Sequence, residues 1–139
     1  MSLVNVLPFF RTRMDGLGYS EHEDAFNAEN IPATILNNSY HLEVGPVVGG
    51  AIPHRTQEAE MPIVLRAFYK GYRSMNDARD DAITESETIL CDILASSVRL
   101  GVTVKNIIFD SYQLLPLNES NDNSIILEMS FRAIVILEI

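Results

Sequence analysis

A single cysteine, Cys91, excludes an intrachain disulfide. The fold must hold by packing, as expected for assembly in a reducing cytosol. Long apolar runs are missing as well, and no segment reaches the ~18 apolar residues of a membrane helix. The opening stretch MSLVNVLPFFRTRMDG has a short apolar run. No basic stretch precedes that run and no small-residue cleavage site follows it, so no signal peptide is expected. Basic residues are scarce: 10 Lys and Arg stand against 19 Asp and Glu, a formal net charge of −9. This argues against a duplex-binding module, whose footprint is a basic patch. It suits a soluble protein, and it also suits a wall past which DNA slides without being held.

Patterns that carry chemistry are equally sparse. Gly49-Gly50 is too short for a phosphate cradle, and no GxGxxG, P-loop or GxSxG pattern occurs. His22 lies in EHED, with no further His or Cys at metal-ligand spacing, so a solvated acidic turn or helix start is expected. His41 alternates out of a strand beside Glu43, where an acid/base pair needs a pocket and a third group. His54 follows Pro53 in a loop. Cys91 falls between Leu90 and Asp92, an apolar and acidic setting unlike that of a reactive thiolate, and is expected to be a small packing residue. Asp77, Asp80, Asp81, Glu85 and Glu87 crowd one helix start, where the dipole and solubility account for them better than paired-carboxylate catalysis. No catalytic, cofactor or metal site is expected.

What is present is the pattern of one globular domain, residues 1–139. The chain is 47% hydrophobic and 21% charged, which sets global disorder aside. Leu3, Val6, Leu7, Phe10, Met14 and Leu17 follow helical spacing, with Pro8 in a first turn or at a kink and Gly16 and Gly18 as the stop. Ser20 and Glu23 fit the cap of a short helix, and Asn37-Asn38 a turn. Residues 39–45 alternate as a strand, with Tyr40, Leu42 and Val44 on one face. Residues 45–62, rich in glycine and proline, read as a long loop or arm. Residues 63–72 form the second strand. Residues 74–101 form the best helix, started by Ser74 and Asp77. Its apolar stripe takes in Ala78, Ala82, Ile83, Ile89, Leu90, Ile93, Leu94 and Val98. Residues 105–117 alternate only partly; 124–139 alternate cleanly, and the two suggest an antiparallel hairpin.

The expected fold class is therefore α+β: a four-stranded, mainly antiparallel sheet with two helices, in the order helix-strand-strand-helix-strand-strand. The odd-numbered face of the last strand should meet the long helix. Its even-numbered face still carries Ile126, Ile134 and Ile136, with Val64 and Phe68 alongside, and the apolar strand runs on to Ile139. Either the first helix covers this second face or a neighbouring subunit does. Candidate partner-contact residues are Val47, Val48, Ile52, His54, Arg55, Ile126, Ile134, Ile136 and Ile139.

Three stretches carry a resemblance: LGYSEHEDAFNAENIPATILNNSYHLEVGPVVGG, PIVLRAFYKGYRSMNDARDDA and LPLNESNDNSIILEMSFRAIV. Together they resemble the tail terminator proteins of tailed bacteriophages over nearly the whole chain. AENIPATILNNSYHLEVG and FYKGYR are the most specific parts. The resemblance implies a small α/β subunit that forms a ring, typically a hexamer, and is not an enzyme. Such a ring caps the finished tail tube, stops its polymerisation and offers a docking face to the head connector. DNA passes through its channel without specific binding, and no cofactor or membrane is involved. It implies assembly in the host cytoplasm and a place in the virion neck, with the 45–62 loop reaching the tube or a neighbour. Two alternatives stand beside it. One is another neck component, such as a head completion or connector protein. The other is a small-molecule-binding or accessory enzyme subunit, which would show a concave pocket with convergent polar groups.

Overall fold

The computed structural model describes residues 6–22, 38–50, 56–72, 74–97, 104–116 and 123–138. The elements run α1 (Val6–Gly16), β1 (Ser20–Glu21), β2 (Ser39–Val44), β3 (Val48–Gly50), β4 (Thr56–Tyr72), α2 (Met75–Ser97), β5 (Val104–Pro116) and β6 (Asn123–Glu138). One mixed sheet of six strands has the order β1-β2-β4-β6-β5, with β3 also on β4. β1 pairs with β2 in parallel; the other pairings are antiparallel. Among the described residues the α+β class and the two helices are as expected, but the sheet has six strands rather than four and is not wholly antiparallel.

Capping chemistry ends α1 and starts α2. The amide of Tyr19 reaches the carbonyl of Met14 at 3.0 Å, and that of Gly18 reaches Asp15 at 3.1 Å. This is a Schellman stop, and it needs the left-handed φ of +90° that Gly18 supplies. Met14 and Tyr19, the residues the motif brings together, are both buried. Pro8 falls in the first turn of α1, where its missing N–H costs nothing. At α2 the Ser74 hydroxyl accepts from the Asp77 amide at 3.1 Å, so Ser74 is the N-cap.

The residues from Glu23 on of the expected short helix lie outside the described residues, and its first two do not start one. Ser20 and Glu21 instead form β1, tied to the β2 edge from the Ser20 amide to Asn38 (3.1 Å) and from the His22 amide to Tyr40 (2.7 Å). Asn38 makes the expected turn, at φ 60°. Asn37 lies outside the described residues.

The expected 45–62 arm is largely strand. β3 and the first half of β4 fall within it. Pro62 hid this, because proline normally argues against an internal strand. Its position explains the tolerance. β2 pairs Val44 with Ile63, whereas β3 pairs Val48 with Glu60, a one-residue shift around Gly45–Val47. The Pro62 carbonyl points to that side and accepts from the Gly45 amide at 2.9 Å. In an antiparallel strand a residue's N–H and C=O point the same way, so the donor Pro62 lacks falls at the irregular edge. The other side of β4 pairs unbroken with β6 from Thr56 to Tyr69.

Both helices pack on the odd-numbered face of β4 and β6. Ile63, Leu65, Leu127, Met129 and Phe131 meet Phe10 of α1 and Ile89 and Ile93 of α2 in one core cluster. Phe131 is its hub, with ring centroids 5.2 Å from Phe10 and 5.6 Å from Phe109. The partial alternation of β5 has a local cause. A bulge between Phe109 and Ser111 switches parity, so Ile107 and Phe109 face the core before it and Tyr112 and Leu114 after it. The stripe of α2 is narrower than expected. It consists of Ala78, Ala82, Ser86, Ile89 and Ile93, while Ile83 and Leu94 are exposed. At 3.6 residues per turn they sit about 100–120° off its centre. Cys91 is exposed too, not a packing residue. Leu3 and Val98 lie outside the described residues.

Candidate functional site

Because α1 packs Phe10 against Phe131, it cannot cover the opposite side of the sheet. That outer face holds the even-numbered side chains of β4 and β6, and polar rows cross it. His41, Arg66, Glu128 and Gln113 stand side by side on β2, β4, β6 and β5. Arg66 reaches Glu43 at 2.7 Å and Glu128 at 3.0 Å, and Gln113 donates to Glu128 at 2.9 Å. A second row joins Arg132 to Asp110 at 3.0 Å and to Glu60 at 3.4 Å. The β5 bulge is what brings Asp110 within reach.

These rows fix local charge states. The hydrogen bond and charge of Arg66 hold the Glu43 carboxyl below its ordinary pKa. Burial works against the Arg66 charge, but its bonds to Glu43 and Glu128 outweigh burial and raise its pKa. The bond to Asp110 likewise raises that of Arg132. Cross-strand pairs of opposite charge stabilise a sheet modestly.

The face is therefore less apolar than the sequence suggested. Ile126 and Ile134 do point outward and are half-buried. They are eight positions apart on one strand, about 27 Å at 3.4 Å per residue, with the charged rows between. Ile126 stands between Phe68 and Leu115, and Phe68 is fully buried although it lies on this side. Ile134 is brought close to Val48, since both flank Glu60 in one row. Val47 and Val48 are exposed on the β2–β3 edge. Ile136 is placed by its backbone, opposite Glu58. Ile52, His54, Arg55 and Ile139 lie outside the described residues.

A polar relay that the sequence did not reveal lies on the core side. Tyr69 donates to the Tyr19 hydroxyl at 2.7 Å, which donates to Glu85 at 3.1 Å, and Tyr72 donates to Asp81 at 2.8 Å. Two of the helix-start carboxylates thus receive buried or half-buried phenols. Burial pushes the pKa values of Tyr19, Tyr69 and Tyr72 well up, and that of Tyr40 up to about 12. These phenols stay neutral at pH 7 and act as donors that lock β4 to α2. Tyrosine spacing along separate elements gives no signal of such a relay.

His41 turns its Nδ1 to the His22 carbonyl at 3.1 Å, and Glu43 is engaged by Arg66. Among the described residues no group of three or more His, Cys, Asp or Glu could hold a metal ion. Nor is any described helix long and apolar enough to cross a membrane. No protein-family model matches the chain, and no curated protein matches it closely enough to indicate a relative.

Proposed function

We propose that this chain is a virion structural protein of a tailed phage, a ring-forming tail terminator that acts without catalysis. The observation that carries the reading is the one-sided packing of the helices. Among the described residues neither helix lies over the part of the outer face where Ile134 and Val48 flank Glu60, and on this reading that part serves contact between molecules. A half-apolar face that no helix of the described residues covers favours an assembly role. The quoted stretches, from AENIPATILNNSYHLEVG to FYKGYR, narrow that role to the terminator.

On this reading identical subunits close into a ring, a hexamer by resemblance. One side of the ring meets the tail tube protein and ends its polymerisation. The other receives the head connector, and DNA passes through the channel. The formal net charge of −9 suits a conduit that does not retain phosphates. The ring assembles in the host cytoplasm and ends in the neck of the virion. The direct test adds purified chain to polymerising tail tube protein and follows tube length by electron microscopy. Tubes should stop growing and carry a ring at one end. Unchanged growth with bare tube ends defeats the terminator reading.

A further inference from the structure

Little about β1 itself holds it to the sheet. Its two residues, Ser20 and Glu21, both have exposed side chains, so burial does not fix it. Its amide bonds to the β2 edge run from Ser20 to Asn38 and from His22 to Tyr40. Glu21 also pairs with Arg11 of α1 at 2.8 Å, with side chains 30% and 43% exposed, and His41 turns its Nδ1 to the His22 carbonyl. An ion pair so open to water is a weak tether. The centre of the sheet is built otherwise, with β4 and β6 in one register from Thr56 to Tyr69.

Tyr19, the residue before β1, is held firmly. Its ring is buried and stands edge-on to Tyr69, ring centroids 6.5 Å apart. Its amide closes the stop of α1 on Met14. Its hydroxyl lies between Tyr69 of β4 and Glu85 of α2. An ionised carboxylate can only accept, so Glu85 takes the Tyr19 proton and the Tyr19 oxygen takes that of Tyr69. One phenol therefore joins the entry to β1 to a central strand and to the long helix.

We propose that Tyr19 is a latch for β1. When its hydroxyl bonds let go, β1 opens as a unit of its own while β4 and β6 stay paired. Elements with few buried groups open at lower free energy than core strands do. β1 pairs with Ser39 and Tyr40, so once it opens no strand among the described residues pairs with the outer edge of β2, from Ser39 to Val44. An unpaired edge is a template for an added strand. The Tyr19 latch thus sets how much of that edge is offered. It uses contacts within one chain and stands apart from the ring reading.

The test is amide hydrogen exchange of the folded full chain, read residue by residue by NMR. Tyr19→Phe keeps the ring and removes the hydroxyl, but leaves the buried Tyr69 hydroxyl without its acceptor. The double variant Tyr19→Phe/Tyr69→Phe removes both partners and avoids that cost. In both, the Ser20 and His22 amides should exchange roughly tenfold faster, the loss expected of one charge-assisted hydrogen bond. In the double variant Leu127 and Met129 of β6 should change far less. Tyr69→Phe alone keeps the bond to Glu85 and should leave β1 closer to the unaltered protein than Tyr19→Phe does. Four results would overturn the latch. Ser20 and His22 exchanging at unfolded-chain rates in the unaltered protein would mean that nothing holds β1. Unchanged rates in both Tyr19 variants would mean that the hydroxyl does not. An equal rise at Leu127 and Met129 in the double variant would make the effect one of global stability. A larger rise in Arg11→Met than in Tyr19→Phe would make the ion pair the tether instead.

Discussion

Arg66→Met isolates the ionic row on the outer face. Methionine keeps the apolar stem and removes the guanidinium. The pair with Glu43 is largely exposed and contributes ~0.2–1 kcal/mol. Glu128, with its side chain 18% exposed, loses a charged donor but keeps Gln113. A charge-assisted bond of that kind contributes ~1.5 kcal/mol or more before the remaining partner compensates. The total loss at pH 7 should be about 1–2 kcal/mol, or roughly 3–7 °C in Tm for a chain of this size. Part of it depends on pH. Because the Glu43 pKa is held below its ordinary value, its stabilisation is complete above ~pH 4.3 and is lost as pH falls through the depressed folded value. Urea unfolding of both proteins at pH 7 and pH 3 should therefore show a smaller difference at pH 3. An equal difference at both pH values, or none at pH 7, would refute an electrostatic role for the row.

Gly18→Ala should cost about 1–2 kcal/mol by chemical denaturation, since alanine resists the φ of +90° at the end of α1. A neutral result would mean that the Schellman stop is not needed. Tyrosine absorbance titration of the folded protein should show Tyr40 ionising near pH 12 and Tyr19, Tyr69 and Tyr72 only later or on unfolding. Neutral phenols are favoured in the folded state at these four positions, so stability should fall as pH rises above ~10, and the four titrating together near pH 10 without unfolding would contradict this. Cys91 should react with a thiol reagent in the native protein, to one equivalent and without denaturant; protection until unfolding would place it in the interior.

Periodicity made most of the fold legible. The clean alternation of residues 124–139 matched β6, and Ser74 with Asp77 marked the start of α2 within a residue. Failures arose where a local rule met a tertiary exception. Pro62 argued for a loop, yet sits in β4 because its missing donor faces the shift between β2 and β3. The β5 bulge broke the alternation that would have shown which side chains face the core. β1 is two residues long and follows the left-handed turn at Gly18, which leaves no periodic signature. Ile83 and Leu94 looked like core because they are apolar on a helix, yet both are exposed, about 100–120° from the centre of the buried stripe. Of the candidate contact residues, Val48 and Ile134 converge around Glu60. Ile126 belongs to a separate apolar row with Phe68 and Leu115. Hydrophobicity nominated these positions, but strand register decides which of them share a surface.

If the proposed function holds, identical copies of the chain close into a ring that ends a tail tube. Electron microscopy of the purified protein, alone and mixed with tail tubes, tests it most directly. Closed rings with a central channel are expected, seated at tube ends in the mixture. A strict monomer in both samples, at every concentration, would contradict it.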